Sequence, residues 1–225
     1  FLMNLGMANA QNNPLLGEFK TPHDAAPFDK IENEHFLPAF KKSIEEGEAD
    51  IKVILENPEA PTFENTIEAM DKIARLLNRT AGIFFNLLSS ETNEEMQKIA
   101  QEVSPMLTKF QNDVSLNPQL FEKIKVVYAQ KDQLDLNIEQ QTLLENTYLG
   151  FVRQGANLNE EQKEKFREIS TELSKLSLTF GENVLKETNA YELHITNEAD
   201  LAGLPEGVVE AAAGKAKSKD KEGWV

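Results

Sequence analysis

One stretch, Leu134–Glu187, limits what this chain can fold into more than any other, because it reads as a helical hairpin. The first arm runs from about Asn137 to Gln154, with Leu144, Tyr148 and Phe151 at i, i+4, i+7 spacing. In the second arm the apolar residues fall at Phe166, Ile169, Leu173, Leu176, Phe180 and Val184. Steps of three and four put them in one stripe on one helix face. The joint is legible too. Gly155 can take the left-handed conformation that ends a helix, and Asn159 can cap the next one, with Gln162 three residues on and Glu160 and Glu161 at the positive end of its dipole. An arm from Glu160 to Glu187 is roughly 42 Å long at about 1.5 Å per residue. One small bundle cannot cover that length alone, so Leu173 and Leu176 are expected to lie buried under the first arm or under a helix at Ile67–Leu88.

The remaining sequence supplies such helices. Gln11–Lys30 carries Pro14, Pro22 and Pro27 without helical period, and reads as an extended arm laid over the surface. Asn33 or Glu34 opens a helix through Phe36, Phe40, Ile44, Ile51 and Leu55, where Pro38 is tolerable only near the first turn. Thr62 or Asn65 caps a second long helix marked by Ile67, Met70, Ile73, Leu77, Phe84 and Leu88. Thr92 and Glu95 form a capping box for a third, which holds Met96, Ile99, Val103, Met106, Phe110 and Val114 and is expected to kink at Pro105. Asn117-Pro118 turns into a shorter helix with Phe121, Ile124 and Tyr128. After Thr188 the period changes: Tyr191-Glu192-Leu193-His194-Ile195 alternates like a half-buried strand. Leu201–Pro205 is a turn, Glu206–Ala216 a short helix, and Lys215–Lys221 a solvated, flexible segment. A second strand is expected to begin at Trp224-Val225. The fold class is therefore mainly α, an antiparallel array of long helices with a helical hairpin, and the start of a small α+β element at the C-terminal edge. Residues 13–189 form the helical domain and 190–225 the start of the mixed element, truncated. Residues 1–12 are either a signal-peptide remnant, since Phe1–Ala10 is apolar and ends Ala8-Asn9-Ala10, or a disordered tail. The first alternative places the protein in the periplasm, the second in the cytoplasm.

Composition excludes more than it identifies. A net charge of −15 argues against nucleic acid and anionic membranes as partners, since both reward Lys and Arg. There is no Cys, hence no disulfide, thiolate nucleophile or Cys-bound metal. No window approaches the ~18 apolar residues of a membrane span. The histidines are His23, His35 and His194, and no two lie one helical turn apart, as a helix-borne metal site requires. His35 reads as a surface or packing residue. Ser89-Ser90 is more simply a helix end than a nucleophile. The acidic cluster Glu32, Glu34, Glu45, Glu46 and Glu48 reads as a solvated face rather than a cation site, and Phe84-Phe85 as core rather than groove lining. No catalytic residue, metal ligand or substrate-binding residue can be assigned from these patterns.

A set of short motifs does carry a resemblance. They are Asn13-Pro14-Leu15-Leu16, Pro27-Phe28-Asp29-Lys30-Ile31, His35-Phe36-Leu37-Pro38-Ala39-Phe40, Phe63-Glu64-Asn65-Thr66 and Thr92-Asn93-Glu94-Glu95. Further on come Phe151-Val152-Arg153-Gln154-Gly155-Ala156-Asn157-Leu158, Phe180-Gly181-Glu182-Asn183-Val184-Leu185, Leu201-Ala202-Gly203-Leu204-Pro205 and Lys221-Glu222-Gly223-Trp224. In this order, from Asn13 to Trp224, they resemble the N-terminal third of the thimet-oligopeptidase family of zinc metallopeptidases. Phe84-Phe85, Leu116-Asn117 and Leu120-Phe121 look closer to its bacterial peptidyl-dipeptidases than to its oligopeptidase A branch. The resemblance implies a largely helical body split by a channel, and short peptides as substrates. It implies zinc held by the two His of H-E-x-x-H and a later Glu, with the motif's Glu activating water. It also implies that the N-terminal helices form the opposite channel wall. No residue here matches a zinc ligand, so none is transferred, and the chain alone is expected to be inactive. The rival readings are an oligopeptidase A-like endopeptidase fragment, a complete helical binding module and a scaffold bundle.

Overall fold

The computed structural model describes residues 13–225, so the tail 1–12 lies outside the described residues. The chain divides into two compact units, one reaching to Leu178 and one covering Thr179–Val225. Seven longer helices stand out among the described residues: α1 Asn33–Glu56, α2 Arg75–Ser90, α3 Glu94–Ser115, α4 Pro118–Ala129, α5 Ile138–Arg153, α6 Glu160–Ala190 and α7 Glu206–Ser218. The protein is mainly helical, as the periodicity predicts.

In the first unit, α1 packs against α2 and α3, and α4 packs against α5. The inward face of α1 is Phe36, Phe40, Ile44, Ile51 and Ile54, all buried. Phe84 of α2 is fully buried and meets Phe36 and Phe40 edge-on, with centroids 4.9 and 5.4 Å apart, a favoured arrangement for aromatic pairs. Phe84 is thus core, as read from the sequence. Gly47 lets α1 come close: a Cβ there would lie 2.8 Å from Phe110 of α3. The 13–30 arm is pinned rather than merely laid on. Leu15 is fully buried, Asn13 donates to the His35 carbonyl at 2.7 Å, and Arg79 donates to the carbonyls of Leu15 and Gly17 at 2.7 and 2.9 Å.

The helix caps follow the sequence closely. Asn117, Asn137 and Asn159 accept from the amides of Leu120, Gln140 and Gln162 at 3.0, 2.9 and 2.9 Å. The Gln162 side chain in turn accepts from the Asn159 amide at 3.1 Å, and Gly155 is left-handed at φ +91°. Three expectations need correction. The second long helix is broken: a π-helical turn Phe63–Glu68 and a short turn Ala69–Asp71 precede α2, and Ala74, just before α2, takes φ +53°. Asp50 of α1 accepts from the Ala74 amide at 3.2 Å, which satisfies a donor the break sets free. The cap of α3 is Asn93, bonded to the Met96 amide at 2.9 Å, while Glu95 instead accepts from Asn33 at 2.8 Å. Pro38 sits inside α1, past its first turn.

The apolar stripe of α6 is exposed where burial is expected. Leu173 and Leu176 are 60% and 56% exposed, and α6 shares no extended seam with α5 or α2. What faces the other helices of the first unit is a different row, Lys163, Arg167, Ser170, Ser174 and Leu178, with Phe166 of the stripe at its edge, all buried or half-buried. At about 100° per residue this row is centred about 100° round the helix from the apolar stripe. Leu173→Ala, which burial would make costly, should therefore change stability by no more than about 0.5 kcal/mol. Urea denaturation of parent and variant checks this.

The second unit contains the end of α6, a 3₁₀ turn Glu198–Leu201, and α7. No strand forms among its described residues. The alternating segment 191–195 makes one antiparallel bridge, Ile195 to Trp224, with bonds of 2.8 and 2.9 Å. The expected α+β element is thus reduced to one rung, because the alternation has no second strand to pair with and Tyr191 and Leu193 stay exposed. Nor is Lys215–Lys221 simply solvated, since Lys219 and Lys221 both donate to the Glu192 carboxylate. Those bonds, Lys219 first, hold the Glu192 carboxyl down at about 2 against its ordinary 4.5. A depressed native pKa contributes stability above the unfolded value, lost as pH falls through the native one. Glu192→Gln should abolish that contribution, so parent and variant should converge in stability between about pH 4.5 and pH 2. Unfolding curves across that range check it.

Candidate functional site

The reactive side chains are scattered. His35 caps α1, its Nδ1 accepting from the Glu32 amide at 2.9 Å. Nε2 of His194 lies 2.7 Å from the Glu222 carbonyl. His23 sits in an exposed 3₁₀ turn with φ +59°. Ser89 and Ser90 both donate to the Asn86 carbonyl, at 2.8 and 2.9 Å, which satisfies the end of α2. Glu32, Glu34, Glu45, Glu46 and Glu48 are exposed. Among the described residues no three His, Asp or Glu side chains gather so that they could hold a metal ion. Among the described residues the donors therefore do not fit zinc.

What the first unit does assemble is a groove of about 610 Å³ between α2, α3 and the first part of α6. Leu77, Ala81, Phe110, Phe166 and Leu173 give it apolar surface, and Asn78, Gln111, Asn112, Gln154, Ser170 and Ser174 give it neutral polar groups. Its lining contains no Asp, Glu, Lys or Arg, although 27% of the chain is charged. Asn112 donates to Ser170 at 2.8 Å and Gln111 to Gln154 at 2.8 Å, so α6 and the end of α5 are tied to α3 at the groove's side. Beside it Arg167 pairs with Asp113 at 2.6 Å, and buried Lys163 reaches Glu160 at 3.1 Å. Such a surface can hold and orient neutral polar groups. Among its lining residues no nucleophile stands beside a base and no acids cluster. Sequence periodicity missed it, because the polar residues that fix α6 repeat at the same three- and four-residue steps as the apolar ones.

The family description Neurolysin/Thimet oligopeptidase, N-terminal domain matches residues 39–163. "Dipeptidyl carboxypeptidase" of Escherichia coli is 33% identical over 207 residues, which is 92% of this chain and 30% of that protein. "Oligopeptidase A" of Haemophilus influenzae is 32% identical over 215 residues, 96% of this chain and 31% of that one. "Organellar oligopeptidase A, chloroplastic/mitochondrial" of Arabidopsis thaliana is 30% identical over 211 residues, covering 94% and 26%. The chain thus spans under a third of the length of these relatives, within their N-terminal part. With more than half of its residues matched, the chain belongs to the neurolysin/thimet oligopeptidase family, through that family's N-terminal domain.

Proposed function

We propose that this chain is the N-terminal, channel-wall part of a zinc peptidase that removes dipeptides from the C-termini of short peptides. The observation that carries the reading is the alignment of 92% of the chain with a dipeptidyl carboxypeptidase. The groups present support the division of labour. A long-helix body with a packed core and no assembled reactive set suits a rigid wall that excludes folded proteins, while the zinc and the group that activates water lie elsewhere in the full-length protein. In that reading residues 13–189 are the wall domain and 190–225 the beginning of the next element. No step of the chemistry passes through a residue of this chain. No described helix is long and apolar enough to cross a membrane. The compartment depends on Phe1–Ala10, outside the described residues: periplasm if the segment is a signal-peptide remnant, cytoplasm if not.

The nearly equal match to oligopeptidase A, 32% over 215 residues, supports internal cleavage as the second reading. Product analysis of the full-length protein separates them. A peptide with a free C-terminus should lose dipeptides stepwise, and the same peptide amidated at its C-terminus should resist. Internal cleavage of both at similar rates would favour the endopeptidase.

A further inference from the structure

We propose that the apolar stripe Ile169, Leu173 and Leu176 of α6 is the seat of an amphipathic helix contributed by the remainder of a full-length protein of this family. Single exposed apolar residues are ordinary, but a row of large ones on one helix face marks an interaction surface. These three are 56%, 60% and 56% exposed. Their steps of four and three are those of a helix–helix seam, in which each residue inserts between side chains of a facing helix. Lys165, Glu168 and Glu172 border them, with Lys165 and Glu168 paired at 2.8 Å, so an apolar centre carries a charged rim, as protein interfaces do. Leu173 also lines the uncharged groove between α2, α3 and α6, which extends the receptive surface.

Two observations choose the occupant. A second copy of this chain would bring two bodies of charge −15 together, against their mutual repulsion. The E. coli and H. influenzae relatives carry the matching region as 30% and 31% of one longer polypeptide. A partner on the same polypeptide acts at millimolar effective concentration and need not overcome that repulsion as a free molecule. The inference rests on the reading that this region works inside a longer chain, and not on zinc or on dipeptide release.

The test uses the absence of Cys from this chain. Ile169→Cys, Leu173→Cys, Leu176→Cys and the off-stripe control Lys175→Cys are made singly, in the 225-residue chain and in a full-length protein freed of other cysteines. Maleimide labelling is then timed. In the 225-residue chain all four positions should react at similar rates. In the full-length protein Lys175→Cys should stay fast, and the three stripe positions should slow by about tenfold or more, the protection expected where a seat must open before reaction. Equal rates at all four positions in the full-length protein would overturn the proposal. So would slow labelling in the 225-residue chain accompanied by a doubled mass in sedimentation, which would make the occupant a second copy. The three stripe variants are read independently, so misfolding of one leaves the others decisive. A full-length protein that protects the stripe yet releases no dipeptide would support the seat while removing the peptidase reading.

Discussion

Replacing Phe84 by Ala should destabilise the first unit by about 3–5 kcal/mol, the range for deleting a fully buried aromatic ring. The ring is 0% exposed and meets three others, with centroids to Phe36, Phe40 and Phe85 at 4.9, 5.4 and 5.2 Å. Two of those rings sit on α1 and one on α2, so the deletion strips contacts from both sides of the α1–α2 seam. The lost transfer energy is joined by a cavity that interlocked helices cannot close. The measurement is the urea midpoint, at unchanged slope. A loss below about 1 kcal/mol would mean that the cluster is not the core the packing describes.

Gly155→Pro should cost about 3 kcal/mol or more. Gly155 has φ +91°, and a proline ring fixes φ near −65°. Its amide donates to the Val152 carbonyl at 3.2 Å, beside the Ala156 bond to the Phe151 carbonyl at 3.0 Å. Proline removes that donor as well as the backbone conformation. Gly155→Ala separates the two effects, because it keeps the amide and carries only the left-handed strain, about 1–2 kcal/mol, plus a contact with the flexible end of Leu158 that a Cβ would approach to 2.7 Å. Thermal unfolding of the two variants should rank proline well below alanine. Equal losses would mean that the amide bond at the joint contributes nothing.

These residues also mark how far the sequence could be read. The joint was legible in full, because Gly155, Asn159 and Gln162 act through local backbone geometry and need no knowledge of distant partners. The caps at Asn117 and Asn137 were legible for the same reason. The break at Ala74 was not. Its left-handed turn is held by Asp50, twenty-four residues away, and alanine carries no local signal for that conformation. The orientation of α6 failed for a different reason. Periodicity finds an apolar stripe but not what covers it, and α6 is attached through Asn112–Ser170 and Arg167–Asp113. Those bonds span more than fifty positions and use residues that, read alone, belong to a solvated face. The segment 191–195 showed strand alternation, but a strand is a relation between two segments, and among the described residues only Trp224 supplies an answering rung. For the site, the sequence offered family motifs and no reactive set. The uncharged groove emerged only when α2, α3 and α6 were placed side by side.

Zinc content and dipeptide release, measured together on the same samples, test the division of labour most directly. The samples are a full-length protein containing this region, its Gly155→Pro variant, and the 225-residue chain. The account predicts that the full-length protein holds zinc and releases dipeptides, and that the 225-residue chain does neither. In the proposed division the Gly155→Pro protein, still folded, keeps its zinc while turnover falls, since the variant would loosen the wall and leave a metal site held elsewhere. Zinc lost in step with activity from a folded Gly155→Pro protein would contradict it and place these helices in the support of the metal site itself.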